Sequence, residues 1–171
     1  ATWGTPLRMI SVGRLYEQKG HDLAIRTLAA LRARRPELDV RLRIVGDGPR
    51  MESLNRLAEE LGMRGFVTGP APARPVEVAA ALCEADLALV PSRIMPDGWQ
   101  EAFCRVAIEA MATGLPVVAT RSGGLPDTVG EGGVVAVRED AAALADAAEA
   151  VLSAMGPADW AVRGTRSAAR F

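Results

Sequence analysis

Lysine is all but absent from this chain of 171 residues: Lys19 is the only one, against 19 arginines. Histidine occurs once, at His21, and aromatic side chains make up 4% of the sequence. The two cysteines, Cys83 and Cys104, lie far apart and in no ligand spacing, which argues against a disulfide framework or a zinc site and makes a reducing cytoplasm the expected location. No apolar run approaches the roughly 20 residues that a membrane helix needs. An excess of basic charge is missing too: 20 Lys+Arg against 21 Asp+Glu give a net charge of −1, which removes the usual electrostatic case for a nucleic-acid partner. The chain begins at Ala1 with neither Met nor signal peptide, so it reads as a part excised from a longer protein. What is plentiful is apolar: 49% of residues are hydrophobic and 24% charged, enough for a sizeable core in one domain and incompatible with disorder.

Short apolar segments and amphipathic helices alternate along the chain. Arg8–Val12 reads as a strand closed by Gly13, and Ala24, Leu28 and Leu31 recur at helical spacing before Pro36. Val40–Val45 is a second strand, and Met51, Leu54, Ala58 and Leu61 mark a helix that ends at Gly62. Phe66–Gly69 is a short third strand, Pro75 opens a helix through Ala85, and Leu87–Val90 is a buried strand cut off by Pro91. After a loop to Glu101 come a helix to Thr113, the strand Val117–Ala119, a last strand Val134–Val137 and an alanine-rich helix over 141–155. Helices of this length between strands call for right-handed crossovers, and strands that read as unbroken apolar runs call for cover on both faces. The pattern predicts one α/β domain: a Rossmann-like doubly wound parallel sheet of about six strands with helices on both faces.

Ligands of such sheets bind beyond the carboxyl ends of the strands. That rim carries Gly13-Arg14 and Lys19-Gly20 after the first strand, Gly46-Asp47-Gly48-Pro49 after the second and Gly69-Pro70 after the third. Glu101 follows the fourth strand and Ser122-Gly123-Gly124 the fifth. Gly46-x-Gly48 fails as a dinucleotide fingerprint, because the third glycine would fall at Met51 and the turn follows the second strand, not the first. A Walker loop is missing as well, since Gly20 stands where Ser or Thr should follow the lysine. Arg14 and Lys19 pair a bidentate fork with a point charge, the usual means of gripping a diphosphate; the competing reading is two solvated surface cations.

The second cluster runs from Glu101 to Glu109. A helix starting near Ala102 would aim free N–H groups at the strand ends and offer a seat to an anion. Along such a helix the two carboxylates would be about 12 Å apart, roughly the span from a hexose across a diphosphate to a ribose. Glu109, flanked by Ile108 and Ala110, is expected in apolar surroundings and in need of a hydrogen-bonding partner. The alternatives are an ordinary first-turn acid for Glu101 and a structural salt bridge for Glu109. His21 reads as a capping or surface residue and Asp47 as a turn residue, while Asp97 and Asp127 fit either kind of role.

Gly13-Arg14-Leu15…Lys19-Gly20, Gly46-Asp47-Gly48-Pro49, Pro91-Ser92, Glu101-x7-Glu109-Ala110-Met111-Ala112-x-Gly114-x-Pro116-Val117-Val118-Ala119-Thr120 and Gly123-Gly124 occur in that order. Together they resemble the C-terminal, donor-binding domain of retaining glycosyltransferases of family 4, which have the GT-B fold, over essentially the whole chain. The resemblance implies a nucleotide-sugar donor (a UDP-, GDP- or ADP-sugar) and hexosyl transfer with retention. It places Gly13, Arg14 and Lys19 at the donor, with the two cations on the diphosphate, Glu101 on the sugar hydroxyls and Glu109 on the ribose. Main-chain N–H groups at Phe103-Cys104-Arg105 would meet phosphate or sugar, and the loop from Val67 to Gly69 the base. Arg14, Lys19 and Glu101 would carry catalysis. No divalent metal is implied, because cations and N–H groups already neutralise the diphosphate and no Asp-x-Asp motif occurs.

Two departures accompany the resemblance. Cys104 stands where the family usually has Gly, and the loop Arg93–Gln100 is longer than usual, forming either a lid over the donor sugar or an exposed turn held by Trp99. A GT-B enzyme has a second, N-terminal domain carrying most of the acceptor site, and Trp160–Phe171 resembles the stretch just before the helix that returns to it. Taken alone, the chain is therefore expected to bind donor and transfer no sugar, and the full-length enzyme could be peripheral to a membrane. The rival readings are a GT-B nucleotide-sugar epimerase or phosphorylase and a non-catalytic nucleotide-binding, flavodoxin- or receiver-like module.

Overall fold

Met9 and Ile10, neighbours in β1 (Leu7–Val12), are each 1% exposed yet face opposite sides of the sheet, so both faces need cover. The computed structural model describes residues 3–171. After β1 come α1 (His21–Arg34), β2 (Val40–Val45), α2 (Met51–Glu60), β3 (Val67–Ala71), α3 (Pro75–Cys83) and β4 (Leu87–Val90). Then follow α4 (Arg105–Ala112), β5 (Val117–Ala119), α5 (Leu125–Val129), β6 (Gly133–Val135), α6 (Ala141–Ala154) and α7 (Pro157–Ala168). All six strands are parallel, in the order β3-β2-β1-β4-β5-β6. The chain leaves β1 toward β2 on one side and returns at β4 on the other, so the order reverses at the β1/β4 seam, where an open sheet leaves a crevice.

On one face α1, α2 and α6 cover Met9, Leu42, Ile44, Leu87 and Leu89 with Ile25, Leu28, Leu54 and Leu144. On the other, α3, α4 and α5 cover Ile10, Val45, Ala88, Val90, Val117 and Ala119 with Leu82, Ala107, Met111 and Leu125. Asp140 caps α6 by accepting from Ala143 N at 2.7 Å. Trp160 of α7 is buried, and its indole N–H donates to the Val151 carbonyl at 3.0 Å. Gly164 lets α7 lie close on α4, since a Cβ there would stand 3.0 Å from the Met111 carbonyl oxygen. Residues 157–168 are thus part of this domain's packing. No helix among the described residues is long and apolar enough to cross a membrane.

Several expectations change. β2 is not an unbroken apolar run: Arg41 and Arg43 alternate with buried residues and are exposed, leaving that part of the second face open. Paired carboxylates offset the cations of the open face, Arg43 meeting Glu84 at 3.1 Å and Arg8 meeting Asp86 at 3.1 Å. α4 begins at Arg105, not near Ala102, because Cys104 still has extended backbone (φ −99°, ψ 91°). The helices α5 and α7 were not anticipated, and β3 and β6 are displaced by one or two residues from the apolar runs that suggested them.

Gly20 sets how closely α1 approaches β4. It has φ +68°, and a Cβ there would collide with the Pro91 carbonyl, whereas Gly62 has φ +66° with nothing nearby. Gly62→Ala should therefore cost about 1 kcal/mol from backbone strain alone. Gly20→Ala should cost at least about 2 kcal/mol more, since a packed backbone must shift. Urea titrations of both variants check this; equal losses would contradict the close approach.

Candidate functional site

A cleft of about 930 Å³ opens at the carboxyl ends of β1 and β4, bordered by Gly13, Arg14, Lys19, Glu101, Phe103, Cys104, Arg105 and Glu109. Gly13-Arg14 leaves β1, and Lys19 closes a short helical turn, Glu17–Lys19, just before α1. Lys19 Nζ donates to Glu101 Oε2 at 2.7 Å, and Ser92 Oγ donates to the same oxygen at 2.9 Å. Among the described residues no side chain donates to Glu101 Oε1. The pair is largely withdrawn from water, with side-chain exposures of 22% for Lys19 and 7% for Glu101. The lone lysine thus bridges the loops that follow the two strands at the seam.

Glu101 is held from several directions. Its N–H donates to Ser122 Oγ at 3.0 Å, and Ser122 Oγ donates to the Arg93 carbonyl at 3.0 Å. Thr120 Oγ1 donates to the Ser92 carbonyl. Gly124 N donates to the Glu101 carbonyl at 2.7 Å, an approach that side chains at 123 and 124 would block. The double glycine after β5 is therefore required for Glu101 to stand where it does.

Arg14 and Arg105 are exposed and make no ion pair among the described residues, so the cleft presents cations that are free to meet an anion. The first turn of α4 opens into the same space; Ala107 N donates to the Cys104 carbonyl at 3.1 Å, while the N–H groups of Arg105 and Val106 have no main-chain acceptor among the described residues. Cys104 occupies the N-cap of α4 with a backbone conformation open to any L-residue, so the structure needs no glycine there. Burial pushes its thiol up to about 11, against the pull of the Ala107 and Val106 N–H groups, which keeps it protonated and unreactive near neutral pH. Phe103, half exposed, stacks edge-on against Phe171 with ring centroids 5.4 Å apart.

Several residues sit otherwise than the sequence suggested. Glu109 is exposed at the cleft wall, with no ion pair among the described residues, so neither an apolar burial nor a structural salt bridge applies. Because Glu101 precedes α4, the spacing of the two carboxylates does not follow from helical rise. Val67 is packed in the core and Gly69 lies within β3, and neither lines the cleft. That wall is instead made by Pro75, Val78, Ala79 and Leu82 of α3, whose alanine-rich pattern gave no signal beyond core packing. Asp47 is a turn residue, its carboxylate accepting from Gly48 N at 2.8 Å, and Asp97 likewise accepts from Trp99 N at 2.9 Å. Asp127 is exposed on α5, outside the cleft.

The loop Arg93–Gln100 is pinned rather than poised over the cleft, whose walls do not include it. Arg93 makes two bonds to Asp22, at 2.7 and 2.6 Å, and Ile94 N donates to the Glu139 carboxylate at 3.2 Å. Burial would raise the Asp22 carboxyl, but the Arg93 guanidinium outweighs it and holds the group below the usual carboxylate range. Trp99 is drawn in against Lys19, whose Nζ is 5.4 Å from the ring centroid.

The family described as Glycosyl transferases group 1 matches residues 6–154. The chain belongs to that family. It is 40% identical, over 143 residues covering 80% of it, to 33% of D-inositol 3-phosphate glycosyltransferase from Corynebacterium jeikeium. It is 37% identical over 178 aligned positions to the GDP-mannose-dependent alpha-(1-6)-phosphatidylinositol monomannoside mannosyltransferase of Mycolicibacterium smegmatis, covering 94% of the chain and 46% of that protein. Its fold superposes on the Anabaena Alr3699/HepE crystal structure in complex with UDP with a TM-score of 0.80, at 24% identity over 97% of the chain and 44% of that one. The chain spans less than half the length of these relatives. This group 1 glycosyl transferase chain thus has the Rossmann-like architecture of a GT-B domain, which sets aside the receiver- and flavodoxin-like readings.

His21 is buried at 3% exposure, not on the surface, and burial lowers its pKa from 6.5 to about 4. The main chain of Arg14 and Gly13, together with Asp22, pulls upward and Lys19 downward, but desolvation dominates. The unfolded chain therefore takes up a proton below pH 6.5 that the folded chain refuses until about pH 4, so stability falls as pH drops through that window. The expected loss approaches about 1.4 kcal/mol per pH unit, roughly 3 kcal/mol in all. Denaturant titrations from pH 7 to 4.5 should show this slope in the native chain and a flatter one in His21→Phe; parallel slopes would contradict a neutral buried ring.

Proposed function

We propose that this chain is the nucleotide-sugar donor-binding domain of a retaining hexosyltransferase that works at the cytoplasmic side, with the acceptor site largely on a separate N-terminal domain. One observation carries the reading: the Lys19–Glu101 pair, 2.7 Å apart, lies in a cleft shared with the unpaired Arg14 and the open end of α4. Arg14, Lys19 and the α4 N–H groups hold the diphosphate and stabilise the charge that grows on it as the sugar departs. Glu101 Oε1 accepts from the sugar hydroxyls while Oε2 keeps Lys19 and Ser92 in place. Glu109, exposed on the far wall, accepts from the ribose, and the apolar side of α3 lies under the base. Relatives named as GDP-mannose-dependent or solved with UDP support a nucleoside diphosphate as the common element of the ligand.

The two carboxylates read different parts of such a donor. Calorimetry against UDP-, GDP- and ADP-sugars, followed by the matching nucleoside diphosphate, tests this. Glu101→Gln should weaken the intact donor by about ten- to a hundredfold, the worth of a charged hydrogen bond, and leave the bare diphosphate bound no more weakly. Glu109→Gln should weaken both ligands alike. Identical behaviour of the two variants on both ligands, or no binding of any of these donors by the native chain, would overturn the reading.

A further inference from the structure

Ser11 and His21 form a buried pair beneath the cleft for which the donor contacts above have no use. Ser11, near the end of β1, and His21, the first residue of α1, are 1% and 3% exposed, and Ser11 Oγ stands 3.0 Å from His21 Nδ1. Among the described residues, His21 Nε2 is the only buried side-chain nitrogen or oxygen without a hydrogen-bond partner. If Nδ1 carried the hydrogen, it would donate to Ser11, stranding both the serine hydroxyl hydrogen and the Nε2 lone pair. If Nε2 carries it, Ser11 donates to Nδ1 and only the Nε2–H is left over. The second arrangement strands fewer buried groups, and it leaves one donor in search of an acceptor.

That donor lies against the turn that leaves β1. A Cβ on Gly13 would stand 3.6 Å from Nε2. The main chain of Arg14 and Gly13 is near enough to favour a protonated ring, yet it does not reach Nε2 in hydrogen-bonding geometry. Asp22 and Lys19 are the charged groups that act on the ring. We propose that His21 is a positioning residue for diphosphate recognition: its Nε2–H closes a hydrogen bond to the main chain of the Gly13–Arg14 turn as that turn draws onto a diphosphate. The bond would fix the turn that presents Arg14, at the expense of an otherwise stranded donor. The proposal rests on the donor-binding reading above.

The test uses the fact that the chain has a single histidine. With ¹⁵N-histidine incorporated, the free chain should show a protonated, pyrrole-type Nε2. Saturation with whichever of UDP, GDP or ADP calorimetry finds to bind should move its Hε2 resonance downfield, and the corresponding nucleoside should not. A pyridine-type Nε2, or an Hε2 that stays still while a diphosphate binds, overturns the proposal alone. Failure of all three diphosphates to bind removes the donor reading and this inference with it. Among variants that melt cooperatively, His21→Phe should bind the diphosphate about tenfold more weakly, and His21→Gln, which keeps an N–H near Nε2, should stay within about threefold of native. Equal losses in both would also count against it.

Discussion

A single ion pair across the β1/β4 seam orders the rest of the site. Lys19 reaches from the turn before α1 to Glu101, in the loop between β4 and α4, and the two meet at 2.7 Å with little access to water. Withdrawing two charges from solvent costs several kcal/mol per ion, and their attraction at best repays it, so such a pair is a weak explanation for stability. It is a good explanation for placement. Breaking it would leave the Glu101 carboxylate buried and unpaired at a cost of about 3–5 kcal/mol, so an anionic ligand must share the Lys19 ammonium with Glu101 rather than take it. A diphosphate can do so through the ammonium's remaining N–H donors; a neutral sugar or a bare nucleoside brings no charge to it.

Much of the surrounding structure serves to bring the two partners together. Gly20 lets α1 begin against Pro91, and the glycines after β5 let the chain accept Glu101 from behind. Ser92, Ser122 and Thr120 tie the loops after β4 and β5 into one network. Arg93 and Asp22 lock the long loop to α1, which leaves Trp99 beside the lysine rather than over the cleft. The cleft is therefore built from residues that follow different strands, brought together where Gly20, Gly123 and Gly124 allow main-chain approaches that a larger side chain would prevent.

Much of this was legible in the sequence, because strand, helix and rim residues follow one another with little interruption. The solitary lysine beside a glycine was an informative signal: in a chain that otherwise uses arginine, a point charge on a flexible stem stands out. Periodicity was less informative where tertiary contacts decide. Ala102 looks like a helix start, but hydrogen bonds that pull Glu101 toward the β5 loop keep the chain non-helical as far as Cys104. Val67 and Gly69 sit at a strand end in sequence, yet β3 continues to Ala71 and α3 takes over the cleft wall. His21 gave no sign of burial, since its enclosure depends on Ser11 and Gly13 folding back from another element. Alternation in β2 was visible at Arg41 and Arg43, and the open sheet face there follows from it.

The same lysine that organises the site reports directly on what it binds. In a chain labelled with ¹³C,¹⁵N-lysine, one side-chain ammonium signal is expected, that of Lys19. If the ammonium is shared between Glu101 and phosphate oxygens, saturating UDP, GDP or ADP will shift that signal and slow its exchange with water, while uridine, guanosine and adenosine will leave it in place. A signal unchanged by all three diphosphates would contradict the account.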